Sequence, residues 1–282
     1  MIVNKTIDDV RKTINEFKKH RQKIGFVPTM GALHEGHFSL IKQARNHCDV
    51  VVVSIFVNPQ QFGPNEDFES YPRNLEEDLA KCRNLDIDAV FTPDREMMYP
   101  DINYFSIKIN KLNNHMCGAS RPGFFEGVVL VVNKLFNIIE PDIAVFGQKD
   151  IQQFLILNQM VREFNHRVTL EMGPIIRAND GLALSSRNVY LSDEERKIAP
   201  GLFRSLTYIE KQIKNGIDQP ELLINHQKNE LEAKGFKIDY LSVYLKKTLE
   251  PVSSLLKGEE YIIAGAVYLG RTRLIDNIIF KY

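Results

Sequence analysis

His34 and His37 lie three residues apart inside the segment PTMGALHEGH, residues 28–37. Two imidazoles so placed could donate hydrogen bonds to phosphate oxygens as charge develops there. Gly31 and Gly36 let the backbone approach a ligand closely. An apolar run, IGFVP at 24–28, precedes the segment, and Phe38, Leu40, Ile41 and Ala44 follow at helical spacing. The segment therefore sits where a strand hands over to a helix. His37 falls at or near the first helical turn, where unpaired N–H groups and the positive dipole end attract phosphate. A metal pair is the alternative, although histidines that ligate from one helix are usually four apart and recruit a third ligand.

Four other groups of residues could share such a site. Asn58-Pro-Gln-Gln61-Phe-Gly63 follows the strongest β-branched run, Val50–Val57. Its amides both donate and accept, which suits a hydroxyl-bearing substrate, and it also reads as a plain polar turn. In Phe146-Gly147-Gln148-Lys149-Asp150-Ile-Gln-Gln153, Gly147 admits a ligand and Lys149 can neutralise a phosphate. Asp150 can accept from ribose hydroxyls, and Gln153 lies one turn further on; a solvated helix start has the same composition. Ser185-Ser186-Arg187-Asn188 could clamp a triphosphate, although such a tetrad is common. Glu76-Glu77-Asp78 reads as a solvated helix face or as a carboxylate for Mg²⁺ carried by ATP.

Positioning these groups at one edge calls for strands ending where the motifs begin. The pattern supplies them: apolar runs at 24–28, 50–57, 88–92, 143–146 and 168–172 alternate with helical spacing at 38–47, 74–85, 127–139 and 151–164. Such alternation argues for an α/β domain with a parallel sheet, whose ligands bind outside the strands' carboxyl ends. After residue 176 the pattern changes. A polar loop spans 177–191. The capping box Ser192-x-x-Glu195 opens a helix expected to run to about Asn215, and another helix follows Pro220. The chain then ends in β-rich segments at 236–245, 261–268 and 272–280. The expected fold is α/β: a Rossmann-like parallel sheet over residues 1–176, with a second, smaller α+β C-terminal domain over 177–282.

Composition narrows the class. The 282 residues carry 36 Lys+Arg and 36 Asp+Glu, hence no net charge. That balance lacks the basic excess of a nucleic-acid binder. The longest apolar run is far short of the roughly 20 residues a membrane span needs, and the first residues contain no apolar core of a secretory signal. Three cysteines cannot all pair within one chain and read as reduced thiols of a cytosolic protein.

Taken in order, PTMGALHEGH, SIFVNPxQFG, YPR, CGxxRPG, KLFNIxxP, FGxKDxQQ and DGLALSSRNxYL resemble the pantothenate synthetase (pantoate–β-alanine ligase) family, a branch of the H-x-G-H nucleotidylyltransferases. The likeness covers about residues 20–195; beyond them only length and general pattern correspond. It implies a cytoplasmic homodimer that joins pantoate to β-alanine with ATP and Mg²⁺, through a pantoyl adenylate, releasing pyrophosphate and AMP. It implies that Met30-Gly31-Ala32-Leu33-His34-Glu35-Gly36-His37 holds ATP. His34 and His37 would contact phosphates, with His37 as the proton donor. Gly147, Gln148, Lys149 and Asp150 would bind ATP too, Lys149 at phosphate and Asp150 at ribose. Ile176 would meet adenine through its backbone, and Leu184, Ser185, Ser186 and Arg187 would close over the phosphates. Gln61 and Gln153 would hold pantoate, with Asn58 beside them and Gln61 also near β-alanine. Glu77 or Asp78 matches the acidic pair associated with Mg²⁺. Loops 61–72 and 177–190 are the segments expected to move. Two positions depart from the family pattern: Phe124 stands where His is frequent, and Gln148 where Glu is. The other enzyme reading is a nucleotidylyltransferase acting on a phosphorylated acceptor; the non-enzyme reading is a nucleotide-sensing module.

Overall fold

The computed structural model describes residues 1–64, 66–100 and 104–282. One residue of the loop 61–72 therefore lies outside the described residues. The chain opens with a strand β1 (Ile2–Asn4) and a helix α1 (Ile7–Lys19), which the sequence reading did not assign. The helix has ordinary start and stop signals: the Thr6 hydroxyl accepts the Asp9 N–H, Asp8 and Asp9 sit at its positive end, and Lys18 and Lys19 close it. Next come β2 (Ile24–Thr29), α2 (Glu35–His47), β3 (Val50–Ile55), α3 (Leu75–Asn84), β4 (Ala89–Phe91) and the short helices α4 (Arg95–Met98) and α5 (Met116–Ser120). Helix α6 (Phe124–Ile139), β5 (Ile143–Gly147), α7 (Ile151–Glu163) and β6 (Thr169–Gly173) complete the strand–helix alternation. The remainder holds α8 (Asp193–Ile198), α9 (Gly201–Lys214), α10 (Pro220–Glu232), β7 (Lys237–Leu245), β8 (Glu260–Leu269) and β9 (Thr272–Lys281).

Two compact units divide the chain: residues 1–109, 122–148 and 153–174 form the first, and residues 110–121, 149–152 and 175–282 the second. The first contains a six-stranded sheet of order β1-β4-β3-β2-β5-β6. Every pairing in it is parallel. The order reverses at β2, which lies between β3 and β5. Crevices at the carboxyl ends of such reversal strands take ligands. Strands β2, β3 and β4 are continuous apolar runs because helices cover both sheet faces. The second unit packs α9, through Leu202, Leu206, Ile209 and Ile213, against Ile263 and Val267 of the antiparallel sheet β7-β8-β9. Gly270, at φ +51, makes the tight β8–β9 turn.

Several boundaries differ from the sequence expectation. Strand β3 stops at Ile55 because the chain turns into the Asn58-capped bend. Helix α6 begins at Phe124 rather than Gly127, entered from Gly123 at φ +84. The single helix expected from Ser192 to Asn215 is two, α8 and α9. Pro200 lacks an N–H and its ring crowds the preceding turn, so the chain restarts at Gly201. The polar stretch after residue 176 is ordered: Ala178 N–H donates to the Leu182 carbonyl and Leu184 N–H to the Ile176 carbonyl, and a 3-10 turn covers Ser186–Tyr190. Among the described residues no helix is long and apolar enough to cross a membrane.

Candidate active site

In the first unit the His34–His37 pair is built into the start of α2. His34 is the N-cap; its Nδ1 accepts the Gly36 N–H at 3.1 Å, and His37 Nδ1 accepts the His34 N–H at 3.3 Å. This is a capping box made by two imidazoles in place of the usual hydroxyl and carboxylate. Because each Nδ1 accepts from the backbone, each neutral ring carries its proton on Nε2. The ring centroids are 4.2 Å apart, so the two imidazoles lie side by side at a helix N-terminus. Glycine is needed at 36, where an added Cβ would come within 2.8 Å of the His34 ring. Gly147 ends β5 beside β2, so it and the Met30–His37 segment leave the sheet at one edge.

The turn after β3 supplies Asn58 and Gln61. Asn58 is 1% exposed and uses both ends of its amide internally. Its Nδ2 donates to Gln61 Oε1 (3.0 Å) and the Gly127 carbonyl (3.1 Å), while its Oδ1 accepts from Tyr99 Oη (2.7 Å) and the Gln60 N–H (3.2 Å). Asn58 was expected beside Gln61, and its buried amide holds the Gln61 side chain there. Gln61 Nε2 lies 2.9 Å from Met30 Sδ, which joins the two expected binding segments. Tyr99 and Gly127 were not anticipated. Tyr99 is buried, its phenol pushed well up by burial, so it remains a donor. An added Cβ at Gly127 would meet the Gln60 carbonyl oxygen at 2.0 Å, so the helix packs on this turn only through glycine. A lone glycine in an otherwise helical, apolar stretch was the available signal.

The acidic triplet divides its roles. Glu77 is exposed, pairs with Lys81 at 2.6 Å and has a lowered pKa for that reason. Asp78 is 2% exposed, and its two oxygens accept the N–H groups of Ala32 and Leu33, each at 2.8 Å. Each oxygen of the Asp78 carboxylate thus already has one backbone donor. Among the described residues no group of three or more His, Cys, Asp or Glu side chains could hold a metal ion.

In the second unit Lys149 and Asp150 pair with each other at 3.5 Å. The Lys149 carbonyl accepts from Asn277 Nδ2 at 3.1 Å, and Asp276 takes Arg177 in a two-bond ion pair at 2.5 and 2.8 Å. Burial pushes the Asp276 carboxyl up, and Arg177 pulls it back. Arg177, adjacent to Ile176, also stacks 3.7 Å from the Phe203 ring centroid. Leu184 is tied to Ile176 through the backbone, and Ser185 Oγ accepts the Arg187 N–H at 3.3 Å, shaping the turn through Ser186. Gln152, the neighbour of Gln153, is engaged at both ends of its amide. Its Nε2 donates to the carbonyls of Leu112 and His115 and its Oε1 accepts from Gly118 N–H. Gln148 and Gln153 are half-buried. The three cysteines are buried and unpaired, with burial pushing the Cys82 thiol up to about 11.

A six-stranded parallel sheet with paired imidazoles at the start of the helix that follows its reversal strand defines a Rossmann-like α/β protein. Comparison with known proteins makes this specific. The family model for pantoate-beta-alanine ligase matches residues 2–279, and the chain belongs to that family. A pantothenate synthetase of Thermosipho africanus is 50% identical over 99% of this chain and 100% of its own. The crystal structure of pantothenate synthetase from Thermus thermophilus superposes with a TM-score of 0.91 at 41% identity, covering 99% of each chain. A pantoate-beta-alanine ligase from Francisella tularensis, solved in complex with beta-gamma ATP and beta-alanine, gives 0.80 at 37% identity over 99% of this chain and 97% of that one.

Proposed function

We propose that this protein condenses pantoate with β-alanine at the expense of ATP. The observation that carries the reading is the full-length family match together with the imidazole capping box at the start of α2. A pantoate carboxylate oxygen attacks the α-phosphorus of ATP; the bond to the β-phosphate oxygen breaks and pyrophosphate leaves. The β-alanine amine then attacks the activated acyl carbon, the acyl–phosphate bond breaks, AMP leaves and the amine gives up a proton. Neither step calls for a protein nucleophile; both call for orientation and charge stabilisation.

The residues divide this work. The Nε2–H groups of His34 and His37 stabilise charge on the phosphates, with His37 as the proton donor, and Lys149 and Arg187 neutralise the departing pyrophosphate. Met30–His37, Gly147–Asp150, Ile176 and Leu184–Arg187 form the ATP site. Gln61 and Gln153 hold pantoate, and Asn58 keeps Gln61 in place. Mg²⁺ enters as part of the nucleotide substrate; Glu77, exposed beside Lys81, is the member of the acidic pair with access to it. We read the protein as a cytoplasmic homodimer acting on small molecules only. Its balanced charge favours small-molecule substrates over nucleic acid, and the exposed apolar pair Tyr104 and Phe105 is surface that a second copy could cover.

The test is product formation from ATP, Mg²⁺ and pantoate with and without β-alanine. Multiple turnovers of AMP that require β-alanine, matched one for one by pantothenate, are expected. Pyrophosphate limited to about one equivalent of enzyme without β-alanine would mark the bound adenylate. No response to pantoate would sink the reading and favour a nucleotidylyltransferase.

A further inference from the structure

Asp78 lies near the start of α3, 2% exposed, and a carboxylate so deep requires compensating donors. Two of them come from consecutive residues of one turn: the Ala32 N–H reaches Oδ2 and the Leu33 N–H reaches Oδ1, both at 2.8 Å. Gly31 and Ala32 have φ values of +81 and +51, which turns successive N–H groups toward one concavity. Concavities of this kind bind anions; here the anion is the protein's own. Ala32 is not glycine, so its left-handed backbone costs energy and persists only where the surroundings impose it. Lys81, one turn along α3, donates from Nζ to the Leu33 carbonyl at 2.9 Å. Helix α3 thus grips both the N–H and the C=O of Leu33, the residue directly before the His34 cap. An added Cβ at Gly31 would lie 2.8 Å from Asp78 Oδ2, so the close approach also depends on glycine there.

We propose that Asp78 is a positioning residue that holds the Gly31-Ala32-Leu33 turn in its left-handed path and so sets the His34–His37 pair, and that it is not a ligand of the Mg²⁺ that accompanies ATP. A cation drawing these oxygens away would leave two N–H groups without the acceptor that shapes the turn. The catalytic consequence rests on the ATP reading above; the structural one does not.

The variant is Asp78→Asn, which keeps the size of the side chain but sets an NH₂ group against one of the two N–H donors. Two measurements are made: hydrogen exchange on the protein without nucleotide or divalent ion, and steady-state kinetics with ATP and Mg²⁺ varied separately. Exchange at the Ala32 and Leu33 amides should quicken about tenfold, while β2 exchanges as in the parent. The KM for ATP should rise about tenfold, with the KM for β-alanine within about twofold. Unchanged exchange at both amides overturns the proposal; a raised Mg²⁺ half-saturation in that same variant then assigns Asp78 to the ion. Should Asp78→Asn fail to fold, Lys81→Met releases the Leu33 carbonyl from a partly exposed position. It should quicken exchange at Leu33 and His34, and unchanged exchange there counts against the grip. Because the exchange measurement uses no substrate, a parent enzyme that ignores pantoate would remove the ligase reading and leave this test standing.

Discussion

In the first unit His34, His37 and Asn58 are tied to backbone groups or neutral side chains. In the second unit Arg177 is tied to Asp276, and Arg273 to Asp239, by ion pairs with little exposure. The two means have different consequences. A backbone N–H fixes an imidazole's direction through a neutral donor, at no cost in ion desolvation. A buried ion pair fixes direction just as well, but each partner loses its hydration, and removing one strands the other. Asp276 shows this loss in its raised pKa, which burial causes and Arg177 only partly offsets.

The largest effect expected from breaking this comparison is at His37. His37→Ala removes an Nε2–H donor and opens the capping box. Adenylate formation, followed as pyrophosphate release, should fall on the order of 10³-fold, about 4 kcal/mol in barrier. Thermal unfolding should change far less, because the loss on the stability side is one helix cap. Near-normal turnover would remove His37 from the chemistry. The next largest is in the second unit, where Asp276→Ala strands the Arg177 guanidinium. A loss of about 3 kcal/mol in urea unfolding is expected; a loss of a few tenths would mean that stacking on Phe203 and the bond from Arg177 Nη1 to the Gly181 carbonyl (3.1 Å) already satisfy the guanidinium.

Much of this was legible in the residues. The strand-to-helix alternation located β2 to β6 because continuous β-branched runs and 3.6-residue spacing differ in period. The histidine spacing pointed to a helix start, where the structure has its capping box. What stayed illegible depends on tertiary placement. Asp78 and Glu77 are adjacent and alike in sequence, and only the path of α3 past residues 31–33 separates a buried carboxylate from an exposed one. The amide of Asn58 could face a substrate or the fold on sequence alone, and its bond to Tyr99, 41 residues away, could not be read from spacing. The break at Pro200 was written in the sequence, but the strong capping box at Ser192 drew the helix across it. Strand β1 is three residues long, too short for a period to show, and its place is set by its register with β4.

A smaller effect sharpens the first side of the comparison. Tyr99→Phe deletes the hydroxyl that donates to Asn58 Oδ1 and leaves the ring packed near Phe56. About 1 kcal/mol of stability should be lost. If Asn58 serves to orient Gln61, the KM for pantoate should rise several-fold while the KM for ATP holds. Equal changes in both would show that the tyrosine supports the unit as a whole rather than this turn.

The smallest effect separates neutral ties from charged ones by pH. His166 Nε2 lies 2.9 Å from Asn133 Oδ1, and its ring meets the edge of Phe136. Burial lowers its pKa from the ordinary 6.5. The unfolded chain therefore takes up this proton before the folded one as pH falls. The stabilisation due to keeping the ring neutral is complete above about 6.5 and is lost as pH falls through the folded value. His166→Gln keeps a donor for Asn133 and removes the titration. Urea midpoints of the parent and the variant, measured from pH 7.5 down to about 5, should converge as pH falls, because only the parent carries this proton-linked loss. Profiles that stay parallel throughout would show that His166 titrates alike in both states, and that its neutral tie to Asn133 contributes nothing pH-dependent to the fold.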